Sequence, residues 1–164
     1  MTPEKFILDA TAGFRMMWFN KQHPNTLYID KRAECNPDII TDFKNLAFIK
    51  SESKKLIVFD PPHDCCHNNA KGTFTENFGA LTPETWFSEL KQGFEELWRI
   101  LAPEGILLFK WNDHDKRLSQ LQPCFPTDPL IMQITKQDYS IRSRKCKTKT
   151  FWICFMKIPE EAKT

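Results

Sequence analysis

Nowhere in the 164 residues does an apolar run approach the ~18 residues needed to span a bilayer. The first residues, MTPEKFILDATAGF, lack a basic stretch followed by an apolar segment of leader length. On these two features neither a helical membrane span nor a secretory leader is expected, and the expectation is a soluble protein of the cytoplasm. Internal repeats and low-complexity linkers are also missing, so residues 1–164 read as one domain, and 41% hydrophobic content with 13% aromatic is enough for a substantial core. Cysteine is sparse. Six thiols, at positions 35, 65, 66, 124, 146 and 154, include one adjacent pair that suits no simple disulfide framework, so reduced thiols are expected. Beside Asp64-Cys65-Cys66-His67 no second Cys-x2-Cys or His-x3-His pair completes a tetrahedral ligand set, and no metal site is assigned.

The formal net charge is +2, but it is unevenly spread. Residues 136–149, KQDYSIRSRKCKTK, hold six cations against Asp138 alone, a local +5, and the remainder totals −3. A solvated hairpin satisfies this pattern. A segment contacting phosphates satisfies it too.

Short apolar runs alternate with helix-like segments along the chain. KFILD (5–9), TLYID (26–30), DIITDF (38–43), KLIVFD (55–60), GILLFKW (105–111), PLIMQIT (129–135) and TFWICFMK (150–157) read as seven strands. Runs apolar on successive residues suit a sheet covered by helices on both faces, hence an α/β fold. The clearest helix follows Thr82 and Pro83, with Trp86, Leu90, Phe94, Leu97, Trp98 and Leu101 recurring at helical spacing as a core stripe. Shorter helices are expected over 16–23 and 116–121. Asp9, Asp30, Asp42 and Asp60 all fall at strand ends, where open parallel sheets hold their ligands, although any one of them taken singly suits a cap or turn.

The order LDATAGFRMMWF, LYIDKR, IITDF, VFDPPH and GILLFKW resembles the class I S-adenosylmethionine-dependent methyltransferases, in particular the amino-methyltransferases of the Asp-Pro-Pro-Tyr type and their short phage and bacterial Asp-Pro-Pro-His variants. The resemblance covers about residues 5–157. It implies a Rossmann-like fold with a seven-stranded, mostly parallel sheet whose last strand is antiparallel, and S-adenosyl-L-methionine as cofactor. Asp9, Ala10, Thr11, Ala12 and Gly13 would lie along the methionine part, Asp30 would accept from the ribose hydroxyls, and Asp42 with Phe43 would meet the adenine. Asp60, Pro61, Pro62 and His63 would form the catalytic motif.

Two features depart from the family pattern. The first motif contains only Gly13, so a GxG-type fingerprint is absent. His63 replaces an aromatic residue; it would stack on substrate, relay a proton, or serve only the turn. Lys110 would orient substrate or pair with a rim carboxylate, and Trp111 would wall the pocket or pack in the core.

The chemistry explains these residue types. The lone pair of an exocyclic base amine is delocalised into its ring, and acceptors at the Asp60 carboxylate and the Pro61 carbonyl favour the pyramidal nitrogen that attacks. Two prolines fix φ and remove two donors, leaving a stiff, acceptor-rich turn. Residues 64–81 read as a loop over the substrate, with Gly72 and Gly79 as hinges and Phe74 or Phe78 as contacts. Arg142, Arg144 and Lys145 would contact phosphates.

Three functions remain open. The first is methylation of a base amine in DNA or RNA, adenine N6 foremost, with no separate recognition domain and with loops, a homodimer or a partner protein supplying specificity. The second is N-methylation of a small molecule or protein. The third is a catalytically silent cofactor-binding subunit.

Overall fold

The structure is a computed structural model that describes residues 5–65, 79–141 and 144–159, and within 137–147 the backbone alone. Seven strands form one sheet: β1 (Ile7–Asp9), β2 (Thr26–Asp30), β3 (Ile39–Ile40), β4 (Lys54–Phe59), β5 (Leu101–Asn112), β6 (Ile131–Ile141) and β7 (Arg144–Met156). Their order is β3-β2-β1-β4-β5-β7-β6. Pairs among β1 to β5 are parallel, and β7 runs antiparallel between β5 and β6. The chain therefore reverses its direction of travel across the sheet between β1 and β4. In such sheets the crevice beyond the strands' carboxyl ends opens at that point.

One face of the sheet is dry. α1 (Trp86–Ile100) buries Leu90, Gly93, Phe94, Leu97 and Ile100 against it, and passes directly into β5 at Leu101. Phe94 lies edge-on to Phe59, Phe109 and Phe125, with ring centroids 5.4, 5.0 and 5.6 Å away. Strand alternation adds Ile57, Leu107, Trp111, Phe151, Ile153 and Phe155 to this layer. The short α2 (Leu118–Leu121) closes it through Leu121, and is the realised part of the helix expected over 116–121.

The opposite face is treated differently. Over β1 and β2 its cover among the described residues is an irregular run, residues 14–24, in place of the helix expected over 16–23. Arg15 takes a positive φ of 56°, which breaks helical continuity, and its guanidinium lies 4.0 Å over the Tyr28 ring. Trp18 is drawn inward, edge-on to Tyr28 at 5.2 Å. Towards β5 and β7 this face is only half-covered: Ile106 is 38% exposed, and Leu108, Lys110, Asn112, Trp152 and Cys154 are half-buried. No helix among the described residues is long and apolar enough to cross a membrane.

Gly93 sets how closely α1 approaches the sheet. A Cβ there would stand 2.6 Å from two atoms of the Phe43 ring, which is itself edge-on to Phe59. Gly93→Ala is expected to cost about 1–3 kcal/mol through overpacking, outweighing the ~1 kcal/mol that alanine gains in helix propensity. Urea unfolding should show a lowered midpoint, recovered when Phe43→Leu is added. An unchanged midpoint in the single variant would refute this account of the packing.

Candidate active site

A cleft of about 940 Å³ opens at the carboxyl ends of the parallel strands. Its lining includes Asp9, Ala10, Thr11, Ala12, Gly13, Asp30, Asp42, Phe43, Asp60, Pro61, Pro62 and His63. Twelve residues singled out along 55 positions of sequence thus share one surface.

The reason is local. The loop after β1 is tied to both neighbouring strands: Ala10 N–H donates to Val58 O, Ala12 N–H to Ile29 O, and Thr11 Oγ1 accepts the Asp60 N–H at 2.8 Å. This last bond places the end of β4 against the end of β1. Gly13, at φ 48°, donates its N–H to Asp30 Oδ2 at 2.8 Å, and a Cβ there would stand 3.2 Å from the Arg32 guanidinium. A single glycine therefore does the work expected of a richer loop.

The carboxylates are not equivalent. Asp9 is buried and accepts from the Trp18 indole N–H at 2.6 Å and from Thr11 N–H at 3.2 Å. Burial is the largest influence on it and the nearby Asp60 and Asp30 charges add to it; against the two hydrogen bonds they push its pKa up to about 7. Burial also opposes ionisation of Asp30, but the Arg32 side chain and the Arg32 and Gly13 N–H groups outweigh it and hold this carboxyl below its ordinary range. Asp42 accepts from Lys44 N–H at 3.0 Å. Phe43 lines the cleft but is mostly committed to the core.

Asp60 stands between two nitrogen bases. Lys110 Nζ donates to its Oδ2 at 2.7 Å, and His63 Nε2 lies 3.1 Å from its Oδ1. Burial again raises the pKa most strongly as a single influence, yet His63 and Lys110 together hold the carboxyl below its ordinary value. The His63 approach is off the hydrogen-bond line. Among the described residues Oδ1 is therefore buried without a hydrogen-bond donor, as is His63 Nδ1 without a partner. A buried carboxylate oxygen lacking a donor is costly, and a ligand N–H that reached it would relieve that cost.

Trp111 does not wall the cleft. It is fully buried, its indole N–H donates to Lys116 O at 2.9 Å, and it meets His63 only edge-on at 5.2 Å. Adjacent strand residues point to opposite faces, so Lys110 in the cleft puts Trp111 in the core. The strand residues that do line the cleft, Asn112, Thr148, Thr150 and Trp152, escaped the sequence reading, although the alternation of buried Phe151, Ile153 and Phe155 signals them. His114 joins them, and with Asp64 and Asp115 forms a group whose ligand atoms lie within 4.8 Å of one another.

Phe74 and Arg142 lie outside the described residues, as do Cys66, His67, Gly72 and Phe78. Arg144 and Lys145 open β7 opposite Ile141 and Ser140, and their side chains lie outside the description. The two ends of the proposed loop are joined, since Cys65 bridges Leu81 and Leu81 N–H donates to Asp64 O at 2.9 Å.

No protein-family profile and no curated protein matches the chain in sequence. Solved structures do match in fold. A SAM-dependent methyltransferase from Methanosarcina mazei is 13% identical, with TM-score 0.52, covering 98% of this chain and 95% of its own. The N-methyltransferase NodS from Bradyrhizobium japonicum, solved with S-adenosyl-L-homocysteine, is 12% identical, with TM-score 0.52, over 90% of this chain and 76% of its own. An rRNA methylase from Streptococcus thermophilus is 11% identical, with TM-score 0.50, over 95% and 89%. The chain has the Rossmann-like α/β fold of these methyltransferases.

The raised pKa of Asp9 has a measurable consequence. An ordinary aspartate ionises near 3.8, whereas folded Asp9 keeps its proton to about 7. Its contribution to stability is full below about pH 4 and is lost as pH rises towards 7. The unfolding free energy of Asp9→Asn minus that of wild type should rise across this window and level above it. A difference independent of pH would contradict the assignment.

Proposed function

We propose that the protein is an S-adenosylmethionine-dependent methyltransferase that modifies an exocyclic amine of a nucleic-acid base, adenine N6 in DNA before RNA, in the cytoplasm. The observation that carries this reading is the single cleft in which the residues of the Asp9 to Gly13 loop, Asp30 and Asp42 meet Asp60, Pro61, Pro62 and His63. Its donor and acceptor set fits the cofactor. Asp9 would take the ammonium, Asp30 the ribose hydroxyls, and Asp42 with the edge of Phe43 the adenine. Two of these acceptors are already engaged, by Trp18 and Arg32, so binding exchanges those contacts for new ones.

Bound there, the cofactor supplies an activated sulfonium methyl group. The chain's own task is to hold and polarise the amine. Asp60 Oδ1 and the Pro61 carbonyl accept its two N–H groups, and the ionised carboxylate stabilises the positive charge that develops on nitrogen. Lys110 anchors the other oxygen, so the carboxylate cannot turn away. His63, held edge-on by Trp111, stands beside Asp60 to receive the departing proton.

The basic hairpin between β6 and β7 supports a polyanionic substrate. Lys136 and Lys149 face each other across its ladder, and the backbone positions of Arg144, Lys145 and Lys147 lie further out along β7. The sheet and its connections take up the described residues, which leaves target selection to loops, a second copy or a partner protein.

Incubation with tritiated-methyl cofactor and separate DNA, RNA and protein pools, followed by nucleoside analysis, tests the reading. Label is expected in N6-methyladenine. Asp60→Ala should lower turnover by about 100-fold or more while calorimetry shows unchanged cofactor affinity; full turnover in this variant would sink the mechanism. Asp30→Ala should weaken cofactor binding about tenfold or more. Charge reversal at Arg142, Arg144 and Lys145 should weaken nucleic-acid binding and flatten its salt dependence. Turnover untouched by that reversal would favour a small-molecule acceptor instead.

A further inference from the structure

On the half-covered face, the strand register builds a row of side chains that begins at the Asp60 carboxylate. Lys110 on β5, bonded to Asp60, pairs with Trp152 on β7, and Trp152 pairs with Gln133 on β6. The next row towards the hairpin is Asn112, Thr150 and Thr135. Lys110, Asn112, Thr150 and Trp152 all line the cleft.

Trp152 is the anomaly in this row. Its chain neighbours Phe151 and Ile153 are buried in the aromatic core, whereas Trp152 presents a half-buried ring to the cleft. The part of the indole left open to the cleft is apolar surface that a planar ligand would cover. The Lys110 ammonium stands 5.7 Å from the ring centroid, near the outer limit of a cation–π contact, and it is held 2.7 Å from Asp60 Oδ2. These two distances on one ammonium put the indole within reach of a planar group whose amine is held by Asp60. The floor beside it is preset, since Asn112 Nδ2 donates to Thr150 Oγ1 at 3.0 Å and Asn112 Oδ1 accepts the His114 N–H at 3.1 Å.

Resting on the reading of Asp60 as the amine acceptor, we infer that Trp152 is the platform on which the acceptor base stacks. The ligand is an unpaired nucleobase, in a single strand or flipped from a duplex, with its backbone led away along β7 towards Lys149. An indole face suits this class because every base offers a π-face, and β7 continues outward from Trp152 into the basic segment.

Fluorescence anisotropy tests this with labelled single-stranded oligo-adenylate, as DNA and as RNA, an abasic oligomer of equal length, and S-adenosyl-L-homocysteine present throughout. Trp152→Ala should weaken binding of the adenylate oligomers about 5- to 100-fold, the range for loss of one base stack. Trp152→Phe should retain most of the affinity, and calorimetry should give all three proteins the same affinity for S-adenosyl-L-homocysteine. Wild-type affinity in Trp152→Ala, or equal wild-type affinity for abasic and adenylate oligomers, overturns the stacking site and leaves the methyltransferase reading standing. Wild-type protein that binds no oligomer overturns both this site and the nucleic-acid reading.

Discussion

β4, β5 and β7 bury only one of their two faces completely, and the remaining architecture follows from that constraint. The dry face is filled by aromatic rings around Phe94, and α1 approaches closely enough to fill it because Gly93 leaves room for Phe43. Edge-on ring pairs at about 5–6 Å pack the strands of this layer together, and its one indole N–H, on Trp111, is satisfied by Lys116 O. Once that face is committed, period-two alternation sends every second side chain the other way. Those side chains, Lys110, Asn112, Thr150 and Trp152, become one wall of the cleft.

The opposite wall is electrostatic. Three carboxylates, Asp9, Asp30 and Asp60, lie close enough that each influences Asp9, and they avoid mutual repulsion in different ways. Asp30 is neutralised by Arg32, Asp60 is paired with Lys110, and Asp9 keeps its proton towards neutral pH. This division of labour gives each acid a distinct preference. Asp60 stays ionised with one oxygen anchored and one without a donor, which suits an amine. Asp9, satisfied by the Trp18 indole, is the group whose charge state a cationic ligand would change most.

The acids at strand ends were legible because their position follows from two local features, an apolar run and the residue that stops it. That logic placed Asp9, Asp30, Asp42 and Asp60 on one rim, and the Asp-Pro-Pro turn with them. It failed where a neighbour overrode local preference. Residues 16–23 have helical composition, but the Trp18 bond to Asp9 and the Arg15 contact with Tyr28 are long-range, and they hold the run in turns. Trp111 was open to two readings because a strand's apolar run does not reveal which of its faces is dry.

The sequence by itself determined the strands, their order of appearance, the carboxylates at their ends and the basic segment, since each depends on neighbours a few positions away. Tertiary structure alone decided which tryptophan serves the core and which the cleft, and which acids carry charge. Those outcomes depend on the phase of β5 against β7 and on partners as distant in sequence as Lys110 is from Asp60. Phase and pairing are properties of the assembled sheet, and no single strand contains them.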